Sequence, residues 1–427
     1  MRTIELIPEG TKPKINSPTV IEWPHVAGTS PTMEAAVGWD LAELGDTDDV
    51  TRDLLRVVTA AYLADRTTRR SNLLLRRELA IAVHVEDPDA WTQPALDLAV
   101  DLLHWLTGDT WHLQVLPAQA PARRLPQTLP PADIVNLLSG GLDSLCGALL
   151  QIREPQTALY LGHRDTSNAV RHAQHRVEQA LHQRRTGTEY LRLALRPTTA
   201  IKEPTPRTRS LLFMALGVAV ATGRHAHRVV MPENGFTSIN PPLEPSRGGP
   251  LTTRSTHPWT FHQLGNLLTE LRLTDIQVTN PYADITKGQL VATALRPRND
   301  EDAALAAATL SCAKPNAGRL KGGNANLNCG LCIACLVRRA AFIGGRRRDQ
   351  TVYLMDVLPP TSRTKFIRYR RHDIAAWQYT SAAGFDEYRV LASGMWPPGT
   401  NFDLVMDICN RGLKELRRVP SPQPTPA

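Results

Sequence analysis

The sequence predicts an α/β protein built around a doubly wound parallel sheet, with a small α+β unit in front of it. Three observations carry this prediction. Short apolar stretches at 134–138, 157–161, 190–195, 228–231 and 275–278 alternate with segments long enough for crossover helices, the rhythm of a parallel sheet covered on both faces. The first stretch runs directly into a glycine turn and then a helical pattern. Four cysteines with metal-ligand spacing gather near the end of the same region.

The elements follow in chain order. Leu54, Val57, Val58, Ala61 and Tyr62 fall at helical spacing behind Asp48 and Asp49, acids that suit a helix N-terminus. Leu79, Ile81, Val83 and Val85 alternate as in a strand, and 96–106 returns to a helical pattern that Thr107-Gly108-Asp109 breaks. Pro117, Pro121, Pro126, Pro130 and Pro131 then mark an extended linker. The expected organisation is an α+β accessory unit at 1–116, the linker at 117–131, a parallel-sheet domain with the cysteine site at 132–350, an extension at 351–419 and a proline-rich disordered tail at 420–427. No internal repeat is visible.

Composition excludes several classes. Hydrophobic residues at 42% and charged residues at 21% rule out wholesale disorder. The longest apolar run, 211–221, falls far short of the roughly 20 residues that cross a bilayer, so no membrane span is expected. Met1-Arg2-Thr3-Ile4-Glu5 lacks the apolar stretch of a secretory signal, so the protein is expected to stay in the cytoplasm. Six cysteines are too few for a disulfide scaffold. A net charge of +8 favours a polyanionic partner, nucleotide or RNA, although the basic runs lack interleaved aromatic platforms.

Directly after 134–138 comes Ser139-Gly140-Gly141-Leu142-Asp143-Ser144. Two glycines let the backbone turn tightly and leave N–H groups uncovered, and the helix N-terminus adds partial positive charge, so the loop is built to hold an oxyanion. Ser139 and Ser144 can donate to the same anion; Asp143 suits phosphate only with a magnesium ion between them. Further along, Cys312, Cys329, Cys332 and Cys335 form C-x16-C-x2-C-x2-C. Four thiolates suit tetrahedral zinc and leave no open position for water, so the metal is expected to be structural. An iron–sulfur cluster uses the same ligands and is the competing reading. Cys146 and Cys409 stand apart as small buried hydrophobes.

The hexapeptide resembles the SGGxDS pyrophosphate loop of the ATP pyrophosphatases, in the required strand-before, helix-after context. Together with Cys329-Gly330-Leu331-Cys332-Ile333-Ala334-Cys335 and the following Leu336-Val337-Arg338-Arg339-Ala340-Ala341-Phe342, it is similar to the QueC-like 7-cyano-7-deazaguanine synthase family. Tyr160-Leu161-Gly162-His163-Arg164, the helix headed by Arg207 and Arg209, and Asn280-Pro281-Tyr282 through Thr286-Lys287 match in the same order. The resemblance spans about half of the chain, residues 134–345. It implies a HUP-like ATP pyrophosphatase fold and a reaction in which a 7-deazaguanine carboxylate attacks the α-phosphate of ATP, giving an acyl adenylate and pyrophosphate, before an amine takes the acyl group. By matching position, Ser139, Gly140, Gly141, Leu142, Asp143 and Ser144 hold pyrophosphate and its magnesium, Gly162 and His163 lie near the nucleotide, and Arg209 and Lys287 contact anions.

The chain departs from the ordinary synthases at 233–243 and 253–258. There Glu233, Asn234, Ser238 and Asn240 are candidates for a purine-like edge, Phe236 for stacking on it, and His257 for proton transfer to or from an attacking amine. With the added N-terminal unit and extension, these departures resemble the longer QueC-like proteins of antiphage defence systems, of the QatC and type IV CBASS kinds. That resemblance implies retained adenylation with a changed acceptor, an amine on a partner protein from the same operon. Three alternatives stand beside it: a free-standing nitrile synthase using ammonia, a tRNA-modifying adenylating enzyme suggested by Arg346-Arg347-Arg348 and the basic run at 363–371, and a non-enzymatic nucleotide sensor.

Overall fold

A computed structural model describes residues 2–16, 19–70, 76–119, 121–164, 168–204, 207–244, 253–314 and 320–421. The end of the expected tail, 422–427, lies outside the described residues. The first unit contains β1 (Arg2–Pro8), β2 (Val20–Trp23), β3 (Gly28–Thr29), β4 (Met33–Ala35), α1 (Asp49–Thr67), β5 (Glu78–Val85), α2 (Gln93–Thr107) and β6 (Thr110–Pro117). Asp48 caps α1 by accepting from the Thr51 N–H at 2.7 Å. Gly108, with φ 70°, ends α2 by donating to the His104 carbonyl. The sheet has the order β2-β1-β5-β6 with every pair parallel. This corrects the α+β expectation for the main sheet: α1 precedes β5 and α2 joins β5 to β6, while the chain passes from β1 to its parallel neighbour β2 with no helix among the described residues. The cause lies in β5, whose residues from Leu79 to Val85 are all buried. Ala80 and Ala82 are small enough to hide a second covered face, and His84 is held there by Glu5 Oε1, 2.9 Å from its Nε2, while burial disfavours its charged form.

The second region contains β7 (Ile134–Leu137), α3 (Leu142–Gln151), β8 (Ala158–His163), α4 (Asn168–Arg184), β9 (Glu189–Leu193), β10 (Leu195–Pro197), α5 (Arg209–Gly223), β11 (Arg228–Val230), α6 (Gly235–Ile239), α7 (Pro258–Glu270), β12 (Gln277–Thr279), α8 (Lys287–Ala294), α9 (Asp300–Ala307) and α10 (Ile333–Gly344). All five expected strands are present. They form a parallel sheet in the order β12-β11-β7-β8-β9. The chain steps outward from β7 through β8 to β9, then returns to lay β11 on the other side of β7. Loops after β7 and β11 therefore diverge from one point on the carboxyl edge. Val135 and Leu137 feed a core shared with α1 and α5, while Leu138 and Tyr160 feed another with α3, α4 and α8. The extension adds α11 (Leu354–Val357), α12 (Pro360–Tyr369), α13 (Arg371–Ala383), α14 (Glu387–Ala392) and α15 (Phe402–Leu416). No helix among the described residues is long and apolar enough to cross a membrane.

The two regions share one hydrophobic core that runs from Ile4, Trp23 and Tyr62 to Leu212, Val229 and Leu264. β4 pairs antiparallel with β10, Ala35 opposite Leu195. Gly45, at φ 103°, and Gly223 meet backbone to backbone, and a Cβ on either would run into the other segment's carbonyl. Residues 118–131 carry no helix or strand among those described, yet they are held: the Arg124 N–H donates to Asp40 at 2.8 Å, its Nη1 to Glu43 at 2.7 Å, and the Gln127 N–H to the Ala42 carbonyl at 2.9 Å.

A buried ionic knot completes the junction. Asp65 at the end of α1 accepts from the Arg207 and Thr208 N–H groups at 2.7 and 3.1 Å, where the chain enters α5. Its other oxygen accepts from Arg77, which also donates to Asp109. Removing one member of a buried network leaves uncompensated charge. Asp65→Ala is expected to cost about 3 kcal/mol or more, read as a lowered guanidinium midpoint at unchanged slope; a cost under about 1 kcal/mol would reduce the knot to ordinary surface pairing.

Candidate functional site

The loop after β7 has the geometry that its sequence requires. Gly140 sits at φ 87°, and a Cβ there would stand 3.2 Å from Gln174 Cγ and 3.4 Å from the Val170 carbonyl oxygen on α4. Gly141 is the N-cap of α3 and brings no side-chain cap, so the first-turn N–H groups are left for a ligand or for water. Ser139 is exposed, with its hydroxyl 3.2 Å from that of Ser144. Leu142 is buried below and offers only its backbone, whose N–H has a long 3.4 Å contact with Ser311 Oγ.

Beneath the loop the structure brings together four residues that the sequence singles out separately. Asp143, Asn234 and Lys287 are buried, and Glu233 is half-buried. Lys287 Nζ donates to Asp143 Oδ2, and Asn234 Nδ2 reaches the same oxygen and Glu233 Oε1, both at 3.2 Å. Asn280 clamps the Glu233 backbone, accepting from its N–H at 3.2 Å and donating to its carbonyl at 2.7 Å. Burial alone would raise the Asp143 carboxyl, but the Lys287 ammonium outweighs it and holds it below the usual carboxylate range. Burial, and then the Asp143 charge, push Glu233 well above that range. Burial also opposes charge on Lys287, yet Asp143 and then Glu233 hold its ammonium above the usual lysine range. The result is a coupled group of two carboxyls, shifted in opposite senses, and one amine at the sheet's point of reversal.

Other expected positions serve the fold. His163 is buried, its ring 5.8 Å from Tyr62 and 6.5 Å from Phe213, on the face that packs against α1 and α5; strand alternation turns Gly162 to the opposite face, where a Cβ would strike Tyr190. Arg209 is half-buried at the start of α5, an entry that the Asp65 carboxylate already fills. Phe236 does not present a stacking platform, since its ring is buried against Phe385 and into the space left by Gly412. Ser238 donates to the Thr256 carbonyl and Asn240 to that of Thr253 at 2.9 Å, so both side chains tether the 253–256 segment instead of facing a purine-like edge.

His257 also departs from its expected role. Its Nδ1 accepts from the Trp259 N–H at 3.2 Å, capping α7, and its ring packs between Trp105 and Trp396 at 5.2 and 4.7 Å. Burial, and then the Arg254 charge, push the imidazole down to about 3, so it stays neutral and makes a poor proton carrier near neutral pH.

The cysteines converge. All four Sγ atoms lie within 4.8 Å of one another, with Cys312 and Cys332 at 3.9 Å. One tetrahedral ion with bonds of about 2.3 Å sets its sulfurs about 3.8 Å apart, so the cluster could hold a zinc ion. An iron–sulfur cluster places its own atoms between the thiolates and calls for a wider cage. Gly330, at φ 89°, makes the tight turn, and Cys332 and Cys335 occupy the positive end of α10, which favours thiolate. Cys146 and Cys409 are fully buried, and burial pushes Cys409 up to about 12.

The cluster is coupled to the loop. The Leu310 N–H donates to the Gly140 carbonyl at 3.0 Å, Ser311 Oγ meets the Leu142 N–H, and Cys312 comes next. Arg338, buried on α10, holds Thr309 and Ser311 at 2.8 and 3.2 Å, and Asn328 pins the Ser311 N–H and the Thr309 carbonyl at 2.9 and 3.0 Å. Ser311 and Asn328 carried no signal in the sequence beyond their closeness to cysteines. No family model matches the chain, and no curated protein matches it.

Two outcomes follow. Elemental analysis is expected to find one zinc per chain, lost in Cys332→Ser with a fall in melting temperature; iron in its place would reverse the metal assignment. For His257, an unfolded histidine titrates near about 6.5, so its stabilising contribution is complete above that pH and is lost as pH falls toward the folded value of about 3. Melting temperatures of His257→Asn, which keeps a cap for α7, are expected to fall less steeply with acidification than those of the native chain.

Proposed function

We propose that the protein is an ATP-dependent, AMP- and pyrophosphate-forming enzyme of the QueC-like kind, with a doubly wound, HUP-like ATP pyrophosphatase sheet. Its substrate is a 7-deazaguanine carboxylate, activated as an acyl adenylate and passed to an amine, on a partner protein, in antiphage defence. The observation that carries this reading is the uncapped start of α3 lying over the Asp143–Lys287–Glu233 cluster, where strand order reverses.

A carboxylate oxygen of the substrate attacks the α-phosphorus as the bond to the bridging oxygen breaks, and pyrophosphate leaves with that electron pair. The amine nitrogen then attacks the acyl carbon, AMP departs, and the nitrogen loses a proton. Backbone N–H groups from Gly140 to Ser144, with the Ser139 and Ser144 hydroxyls, meet the charge that grows on pyrophosphate, and the nearby Lys287 ammonium adds a fixed positive field. Apart from the Glu233 carboxyl, which hydrogen-bonds to Asp143, the buried Asp143 Oδ1 meets no donor among the described residues, and it is the atom that would hold a magnesium ion. Such an ion supplies further positive charge to the leaving group.

The RNA alternative loses part of its basis. Arg347 spends its guanidinium on the carbonyls of Ala292 and Leu295 at the end of α8, and Arg348 pairs with Asp300.

Incubation with ATP and 7-carboxy-7-deazaguanine is expected to yield AMP and pyrophosphate, with turnover reduced about 100-fold or more in Asp143→Asn. Formation of ADP, or no triphosphate cleavage at all, would falsify the adenylation reading. A full yield of free nitrile with ammonia and no partner would instead make the protein a free-standing 7-cyano-7-deazaguanine synthase.

A further inference from the structure

The extension beyond the cysteine cluster places one acidic side chain against the helix that begins with Lys287. Helix α15 packs against α6 and α10, which follow Asn234 and Cys332, and against α8, which begins with Lys287. From its last turn Glu415 reaches the start of α8, where Oε1 accepts from the Thr286 hydroxyl and Oε2 from the Gly288 N–H at 3.0 Å. Space for this carboxylate exists only because two neighbouring residues lack side chains. A Cβ on Gly344 of α10 would stand 2.8 Å from Glu415 Cγ and 3.0 Å from Cδ, and one on Gly288 would collide with the carboxylate itself. Arg411, one turn earlier, donates to the Asp284 carbonyl at 3.0 Å and to Gln289, tying the same helix entry from its exposed side. Thr286 and Gln289 form a capping box, so the first turn of α8 is fixed both from within and by α15.

We propose that Glu415 is a positioning residue for Lys287: it locks the turn that carries the lysine and so keeps the ammonium on Asp143 beneath the phosphate loop. The extension is thereby part of the reacting centre's support. This rests on the adenylation reading for its effect on turnover, but not for its effect on Lys287 itself.

The two are separated by one experiment on the full chain. Brief acetylation with an amine-reactive ester, followed by peptide mass spectrometry, reads access to Lys287 with no substrate present. Glu415→Ala is expected to raise labelling of Lys287 several-fold while thermal unfolding stays cooperative. Glu415→Gln keeps an acceptor for the Gly288 N–H and is expected to restore protection. Gly344→Ala displaces Glu415 from the α10 side and is expected to expose Lys287 as well, which covers the case in which Glu415→Ala does not fold. In ATP cleavage, kcat of Glu415→Ala is expected to fall about 10- to 100-fold with little change in KM, the signature of a misplaced group. Lys287 labelling at the native level in both alanine variants overturns the proposal, and so does native kcat in Glu415→Ala. Absence of pyrophosphate from the native protein overturns the adenylation reading alone and leaves the labelling to decide the role of Glu415.

Discussion

The buried pair between Lys287 and Asp143 is the constraint around which the rest of the molecule is arranged. Taking an ammonium and a carboxylate out of water is costly, and their attraction offsets that cost only when the geometry is good and the remaining lone pairs are satisfied. Here Asn234 shares the Asp143 oxygen, Asn280 fixes the Glu233 backbone, and burial with the Asp143 charge pushes Glu233 up, away from a second negative charge. Each partner comes from a different crossover: the loop after β7, the loop after β11 and the first turn of α8. They meet because the strand order places β7 and β11 side by side. The sheet topology is thus the cause of the charge cluster, and the cluster gives the loop above it a fixed electrostatic floor.

Much of this was legible in the sequence because it depends on short-range signals. Five apolar stretches became five strands, two glycines between a strand and a helix became a tight uncapped turn, and closely spaced cysteines became a cluster. Asp143, Glu233, Asn234 and Lys287 could be named one by one, but nothing local says that they touch. What stayed hidden depends on distant partners. The His163 side chain faces the core because Tyr62, a hundred residues earlier, packs there. Phe236 is covered by a helix from the far end of the chain. The start of α5 looks like an open anion site until Asp65 of the first unit is seen filling it. A parallel first sheet was concealed by alanines that read as the polar side of an alternating strand.

The first unit is also less separable than a proline-rich connection implies. Its strand β4 adds to β10, its aspartate caps α5, and its apolar residues continue into the core behind the larger sheet. Trp105, at the end of α2, stacks with His257, and Arg254 lies 3.9 Å over the indole while donating to the Ser393 carbonyl at 3.4 Å. One small cluster therefore joins the front of the chain, its middle and its extension. Movement of any of these parts must disturb the tethers on the 253–256 segment, which Ser238 and Asn240 hold beside the loop that follows β11.

Helix α15 gives the site a temporal order. During synthesis the loop after β7, the cysteines and Lys287 all leave the ribosome before residues 402–416 do. Until that helix emerges, the Thr286 hydroxyl and the Gly288 N–H lack the carboxylate that accepts from them in the complete fold. The contacts by which Glu415 holds the first turn of α8 are therefore among the last that the growing chain can make.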